Sequence, residues 1–204
     1  MAWGKAALLC ASMGIALAAC TEGTKETHIL PPDVRLRTGD VVFRQGSGLT
    51  SHAVRLADTD GNYSHVGIVA DSAGQLLVVH AVPGEGREES NADRVRADKP
   101  EAFFSTQRAN IGAVARTADS VAAQRAAAAA WQVYKRGTPF DHDYDDTDTL
   151  SMYCTELVVH VYKAAGLMLV GSERHEVELP GLKCQCIYPS DVFRSPRLKT
   201  IKTF

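Results

Sequence analysis

The chain has 204 residues, 45% of them hydrophobic, and a formal net charge of −2. That length supports one compact domain with a sizeable core and leaves no room for a second full domain. Lysines and arginines are spread among the acids, without the basic patch of a nucleic-acid binder, so nucleic acid is excluded as a partner.

The N-terminus reads as a targeting segment. Lys5 supplies a positive start, Ala6 to Leu17 is apolar and small, and Leu17-Ala18-Ala19-Cys20 closes it. The stretch is too short to span a bilayer as a mature helix. Leu-Ala-Ala-Cys resembles the bacterial lipobox, which makes Cys20 the first mature residue and the point of lipid attachment. Plain secretory cleavage after Ala19 is the alternative. Thr21 after the cysteine, rather than aspartate, favours the outer membrane, facing the periplasm. Three regions follow: a signal peptide over 1–19, a polar tether with Pro31-Pro32 over 20–37, and a folded domain over 38–204.

Within the domain, Gly39 to Arg44 reads as a short strand, Gly46-Ser47-Gly48 as a turn and Ser51 to Ala57 as a short helix. His65 to Ala70 and Gln75 to Val82 are β-rich runs joined by Asp71-Ser72-Ala73-Gly74, a strong hairpin signal. With Ser72-Ala73 as a two-residue loop, His65 and His80 become direct cross-strand neighbours, and a one-residue shift would send them to opposite faces. Pro83 to Pro100 is charged and irregular. Asn110 to Arg116 reads as a strand, and Asp119 to Arg136, alanine-rich and followed by Gly137, as a helix. An aspartate-rich loop over 137–149 leads to a second helix from Cys154 to Ala165, stopped by Gly166. Ser190 is suited to cap a final turn over Asp191 to Arg194.

Cys154 stands where unpaired backbone N–H groups and the positive end of the helix dipole stabilise a thiolate, which makes it a candidate nucleophile. His65 and His80 supply a base and an orienter for thiol chemistry. Each also has a plain structural reading: a buried cysteine, and hydrogen-bonded core histidines. His52, His142, His160 and His175 lack a comparable partner, and Glu156 suits the helix N-terminus as a cap. The acidic run from Asp141 to Asp146 departs from the EF-hand template, with Asp146 where glycine is needed and Met152 where the bidentate glutamate belongs. Cys184-Gln185-Cys186 is compatible with a local disulfide, two buried thiols or half of a metal site with His175. No second metal-type pair accompanies it, so no metal is expected.

Gly39-Asp40-Val41-Val42-Phe43, Ser64-His65-Val66-Gly67-Ile68, Phe140-Asp141, Tyr153-Cys154-Thr155-Glu156-Leu157 and Pro189-Ser190-Asp191 together resemble the permuted papain-like amidases of the YaeF/YiiX group. These are relatives of the NlpC-type peptidoglycan hydrolases. The likeness spans the whole domain, and the order His before Cys is its distinguishing mark. It implies an α+β, circularly permuted papain-like fold with an antiparallel sheet packed on helices. It also implies Cys154 as nucleophile, His65 as base and residue 80 as polar orienter, with Glu85 as the fallback.

The implied activity is an envelope-anchored cysteine hydrolase that cleaves amides in cell-wall-derived or other short peptides through an acyl-thioester, with no cofactor. Hydrolysis or transfer of fatty-acyl groups and a non-catalytic envelope-binding module are the competing readings. Arg87, Arg94, Arg96 and Lys99, if they overhang the cleft, would favour peptides bearing a free carboxylate over lipids. The sequence sets no oligomeric state.

Overall fold

The computed structural model describes Met1 and residues 27–84, 93–179 and 182–204. Its centre is a six-stranded antiparallel sheet in the order β4-β3-β2-β1-β5-β8. The strands are β1 (Val41–Gln45), β2 (His65–Ser72), β3 (Gln75–Ala81), β4 (Val95–Asp98), β5 (Ile111–Arg116) and β8 (Lys199–Thr203). A separate hairpin pairs β6 (His175–Leu179) with β7 (Leu182–Cys186). The helices are α1 (Leu49–Ala57), α2 (Pro100–Phe103), α3 (Ser120–Lys135), α4 (Cys154–Ala164) and α5 (Pro189–Phe193).

Strand alternation builds two apolar layers. Val41, Phe43, Val66, Ile68, Val79 and Ala113 face one core with α3 and α4, while Val42, Val69, Val78 and Val114 face another with Phe103 and Phe104. Both faces are therefore covered, which accounts for the uninterrupted apolar runs in β1 and β2. The helix α3 turns Ala122, Ala126, Ala130 and Val133 inward at helical spacing. Asp119 caps it by accepting the Val121 and Ala122 amides. Small side chains let α3 approach the sheet closely at Gly39, whose φ of +85° also requires glycine.

Several local expectations change. The stretch from 83 to 100 was expected to be irregular, yet its described end forms β4, because Val95-Arg96-Ala97-Asp98 alternates apolar and polar residues and pairs with β3. The hairpin β6–β7 and the edge strand β8 lack the long apolar runs that announce β1 and β2, and periodicity alone leaves them unmarked. The described part of the expected tether, 27–37, lies against the domain: Ile29, Leu30, Val34 and Leu36 pack on the second core. The Ile29 amide also bonds the Phe104 carbonyl at 2.9 Å. Ser190 does not act as a cap. Its hydroxyl donates to Asp58 at 2.7 Å, and Asp191 takes the capping role by accepting the Tyr188 amide at 2.8 Å.

Gly39→Ala is expected to destabilise the domain by about 1–3 kcal/mol through overpacking and backbone strain. The new Cβ would lie 2.5 Å from the Ala123 Cβ. Urea unfolding checks this, and an unchanged midpoint would mean that α3 yields freely at this contact.

Candidate active site

The β2–β3 hairpin brings His65 and His80 together by a register that differs from the expected one. The loop is Ala73-Gly74, with φ of +55° and +85°, and Ser72 pairs with Gln75. His80 thus stands opposite Gly67 instead of His65. The displacement is two residues, so both histidines keep the same face and meet diagonally. His65 Nε2 and His80 Nδ1 are 2.9 Å apart, and both rings are buried. Gly67 leaves the room this needs, since a Cβ there would lie 3.1 Å from that of His80 and 2.7 Å from Val78.

The chain of contacts continues to Asp98, a residue the sequence reading passed over. Its Oδ2 lies 3.2 Å from His80 Nε2 and accepts from Arg108 Nη1 at 3.1 Å, while Arg96 stands 3.6 Å away. Burial alone would raise the Asp98 carboxyl, but the His80 hydrogen bond and the charges of His80, Arg96 and Arg108 outweigh it. They hold the group well below the usual carboxylate range. The readable signal was the alternation of 95–98, which puts Arg96 opposite His80 and Asp98 at the strand end. Glu85, the fallback orienter, falls outside the described residues.

These contacts constrain protons. A neutral His80 that donates Nε2–H to Asp98 has Nδ1 as an acceptor, so it takes the Nε2–H of His65. His65 is then left with a lone pair on Nδ1. Burial, followed by the charge of Arg44 and the proximity of His80, pushes the His65 pKa well below its ordinary value.

Cys154 begins α4. Its Tyr153 neighbour donates its amide to Glu156 at 3.2 Å, and Thr155 Oγ1 donates to the Ile187 carbonyl at 2.7 Å, so the helix start is fixed from both sides. The β2–β3 pairing ends at Ile68 with Val79, and the next inward amide of β2, that of Val66, donates to the Cys154 sulfur. The thiol therefore sits one residue along the strand from His65. Burial pushes it up to about 11, despite the pull of the Val66, Thr155 and Cys154 amides and of Arg44. On this half-buried residue desolvation opposes the thiolate that the helix-start amides favour. Arg44, a second residue the sequence reading missed, is buried opposite His65 on β1. It donates to the Phe103 carbonyl at 2.9 Å, with its guanidinium 4.7 Å from the Phe103 ring centroid.

The family model described as "Permuted papain-like amidase enzyme, YaeF/YiiX, C92 family" matches residues 35–202. The chain belongs to this family. It is a papain-like cysteine amidase or peptidase by membership, with the permuted α+β fold, and the non-catalytic reading is set aside. Among solved structures it resembles one titled as the metalloprotein yiiX from Escherichia coli O157:H7. That match has a TM-score of 0.66 and 21% identity, and covers 82% of this chain and 97% of the other. No curated protein is similar to the chain by sequence.

In this C92 amidase no described group of three or more His, Cys, Asp or Glu side chains is arranged to hold a metal ion. Cys184 and Cys186 are free, buried thiols joined by a hydrogen bond. His175, across the hairpin, instead contacts Asp191 at 3.0 Å and stacks on Tyr188 at 4.3 Å. His142 also has a carboxylate partner, Asp93 at 3.2 Å, while His52 is exposed and His160 half-buried. In the acidic loop Asp141 accepts the amides of Asp143 and Asp145. Among the described residues, Arg94, Arg96 and Lys99 do not line the groove beside the thiol. Arg94 and Arg96 line a separate groove with Tyr134 and Lys135, and Lys99 lies by Leu30 and Val34. Arg87 is outside the described residues.

Glu156 generates a stability prediction. Burial first, then Asp141, Asp146 and Asp148, push its carboxyl from 4.5 up to about 8, against the Tyr153 amide. A raised folded-state pKa stabilises fully below the unfolded value, and that contribution is lost as pH rises. Glu156→Gln, which can still accept the amide, is therefore expected to gain stability relative to wild type as pH climbs from 4.5 to about 8. Denaturant unfolding across that window measures the difference, and a constant gap would show that the carboxyl titrates normally.

Proposed function

We propose that the protein is an envelope-anchored cysteine hydrolase that cleaves amide bonds in short peptides, including cell-wall-derived ones, with Cys154 as nucleophile. The observation that carries this reading is the His65–His80–Asp98 hydrogen-bond chain, which ends beside the amide that binds the Cys154 sulfur. The nucleophile rests as a neutral thiol and the base as a neutral imidazole. Proton transfer from Cys154 to His65 Nδ1 then accompanies attack of sulfur on the carbonyl carbon. Backbone N–H groups at the start of α4 receive the developing oxyanion. As the tetrahedral adduct collapses, the C–N bond breaks and the imidazolium gives its proton to the leaving nitrogen, which leaves an acyl-thioester. Water, deprotonated by His65, hydrolyses the thioester and returns the thiol.

His80 holds the His65 ring and its tautomer, and Asp98 acts through His80 as a positioning residue. Protonation of His80 would make Nδ1 a donor, shift the proton of neutral His65 onto Nδ1 and remove the acceptor that Cys154 needs. The lipobox-like segment ending at Cys20 supports attachment to the membrane, where peptide amides of the wall are at hand. Among the described residues no helix is long and apolar enough to cross a membrane.

Cys154→Ala and His65→Ala are expected to lower kcat/KM on a scissile amide by about 1000-fold or more. His80→Ala is expected to lose about 10- to 100-fold, and Asp98→Asn less, since the amide oxygen still accepts from Nε2. Steady-state kinetics, with intact-mass detection of the acyl adduct, decide this. Full activity in Cys154→Ala would sink the proposal.

Anchoring is tested separately. Cys20→Ser is expected to abolish lipid attachment and move the protein to soluble or unprocessed fractions. Membrane retention of the cleaved variant would argue against a lipid anchor.

A further inference from the structure

The cleft beside Cys154 differs in character from the described grooves lined by Arg94, Arg96 and Lys99. Val54 and Ala57 of α1 form one side, Val177, Cys184 and Cys186 of the β6–β7 hairpin another, and Tyr188 closes the end. None of the described residues that line it carries a charged side chain. A charged substituent entering it would lose water and gain no counter-ion, whereas an aliphatic or aromatic one would lose only apolar exposure. The free space is about 80 Å³, which at the volume a single water needs holds on the order of six water-sized groups. That is the size of a leucine or phenylalanine side chain, and far short of a long acyl chain.

The position of the cleft also assigns it to one side of the scissile bond. His65 delivers the proton to the leaving nitrogen, so the leaving group lies on its side of the sulfur. Cys154 lines the cleft and Ser64 closes it on the β2 side, whereas the side chains of His65, His80 and Arg44 do not line it. On β1 and β3, Arg44 and His80 stand with Phe103 on the other side of the sheet from α4.

We infer that this cleft is the acyl-side specificity pocket and that the enzyme selects amides whose carbonyl belongs to an uncharged residue with a short apolar side chain. The inference rests on the proposed hydrolytic role of Cys154. It replaces the expectation of acid-bearing peptides for the residue at the scissile carbonyl, since the described arginines and lysine invoked for it line other grooves.

Peptide aldehydes test it without requiring turnover. The Cys154 thiol adds across the aldehyde carbonyl, sulfur bonding to carbon and the thiol proton passing to oxygen, and the adduct shields the sulfur from iodoacetamide. Otherwise identical aldehydes ending in leucyl, phenylalanyl, glutamyl and lysyl residues are compared with hexadecanal, by mass spectrometry of alkylated Cys154. The leucyl and phenylalanyl compounds are expected to protect at concentrations at least about tenfold lower than the charged ones, the effect of burying one apolar side chain. Val54→Lys is expected to narrow or invert the leucyl-to-glutamyl ratio. A gain in glutamyl protection can come only from a folded cleft. Equal or better protection by the glutamyl or lysyl compound in the unsubstituted protein would overturn the inference. So would a tenfold advantage for hexadecanal, a ratio unmoved by Val54→Lys, or no protection by any aldehyde. Selective protection without any acyl adduct from amide substrates would instead sink the hydrolase reading and leave the pocket standing.

Discussion

The pairing between β2 and β3 is the constraint on which the site depends. Its register puts His65 and His80 diagonally on one face, and its early end frees the Val66 amide for sulfur. A sheet slipped by one residue would keep the fold's composition and lose the histidine contact, because every side chain would change faces. The buried apolar residues on both sides of these strands make such a slip costly, as Val66 and Ile68 serve one core and Val69 the other. Packing of the whole domain thereby enforces a geometry accurate to one hydrogen bond.

Within the site, desolvation outweighs local charge. The amides at the start of α4 and the guanidinium of Arg44 all favour a negative sulfur, yet the thiol stays protonated. The same burial, with Arg44 and His80, lowers the His65 pKa. Asp98, whose side chain is 15% exposed where that of His80 is fully buried, and which is flanked by Arg96 and Arg108, is where charge is tolerated, at the outer end of the chain of contacts.

Much of this was legible in the sequence because it depends on local patterns. The runs of β1, β2, β3 and β5, the alanine-rich α3 and the cysteine at the start of α4 announce themselves by periodicity and by turn or cap residues. The hairpin loop was misplaced by one position at each end because Ser72-Ala73 and Ala73-Gly74 are both plausible turns. Only the φ values of Ala73 and Gly74 distinguish them. Asp98 and Arg44 were hidden for a different reason. A charged residue in a polar-looking stretch reads as solvent-facing until the tertiary structure buries it, and nothing local to Arg44 says that Phe103 will cover it. Ser190 illustrates the same limit, since its partner Asp58 is 132 positions away.

The small helix α5 links two parts of the molecule that never touch in sequence. Through Ser190 it holds Asp58 at the end of α1, and through Asp191 it holds His175 at the start of the β6–β7 hairpin. Phe193 packs on Phe43 and Tyr63, which ties the same five-residue element to the sheet. Both flanks of the groove beside the sulfur are thus braced against one strut. Its aperture behaves as a fixed gauge, set by the distance between two attachment points rather than by either flank. A change at Ser190 or Asp191, neither of which lines the groove, would alter what fits without altering a single atom that meets the substrate.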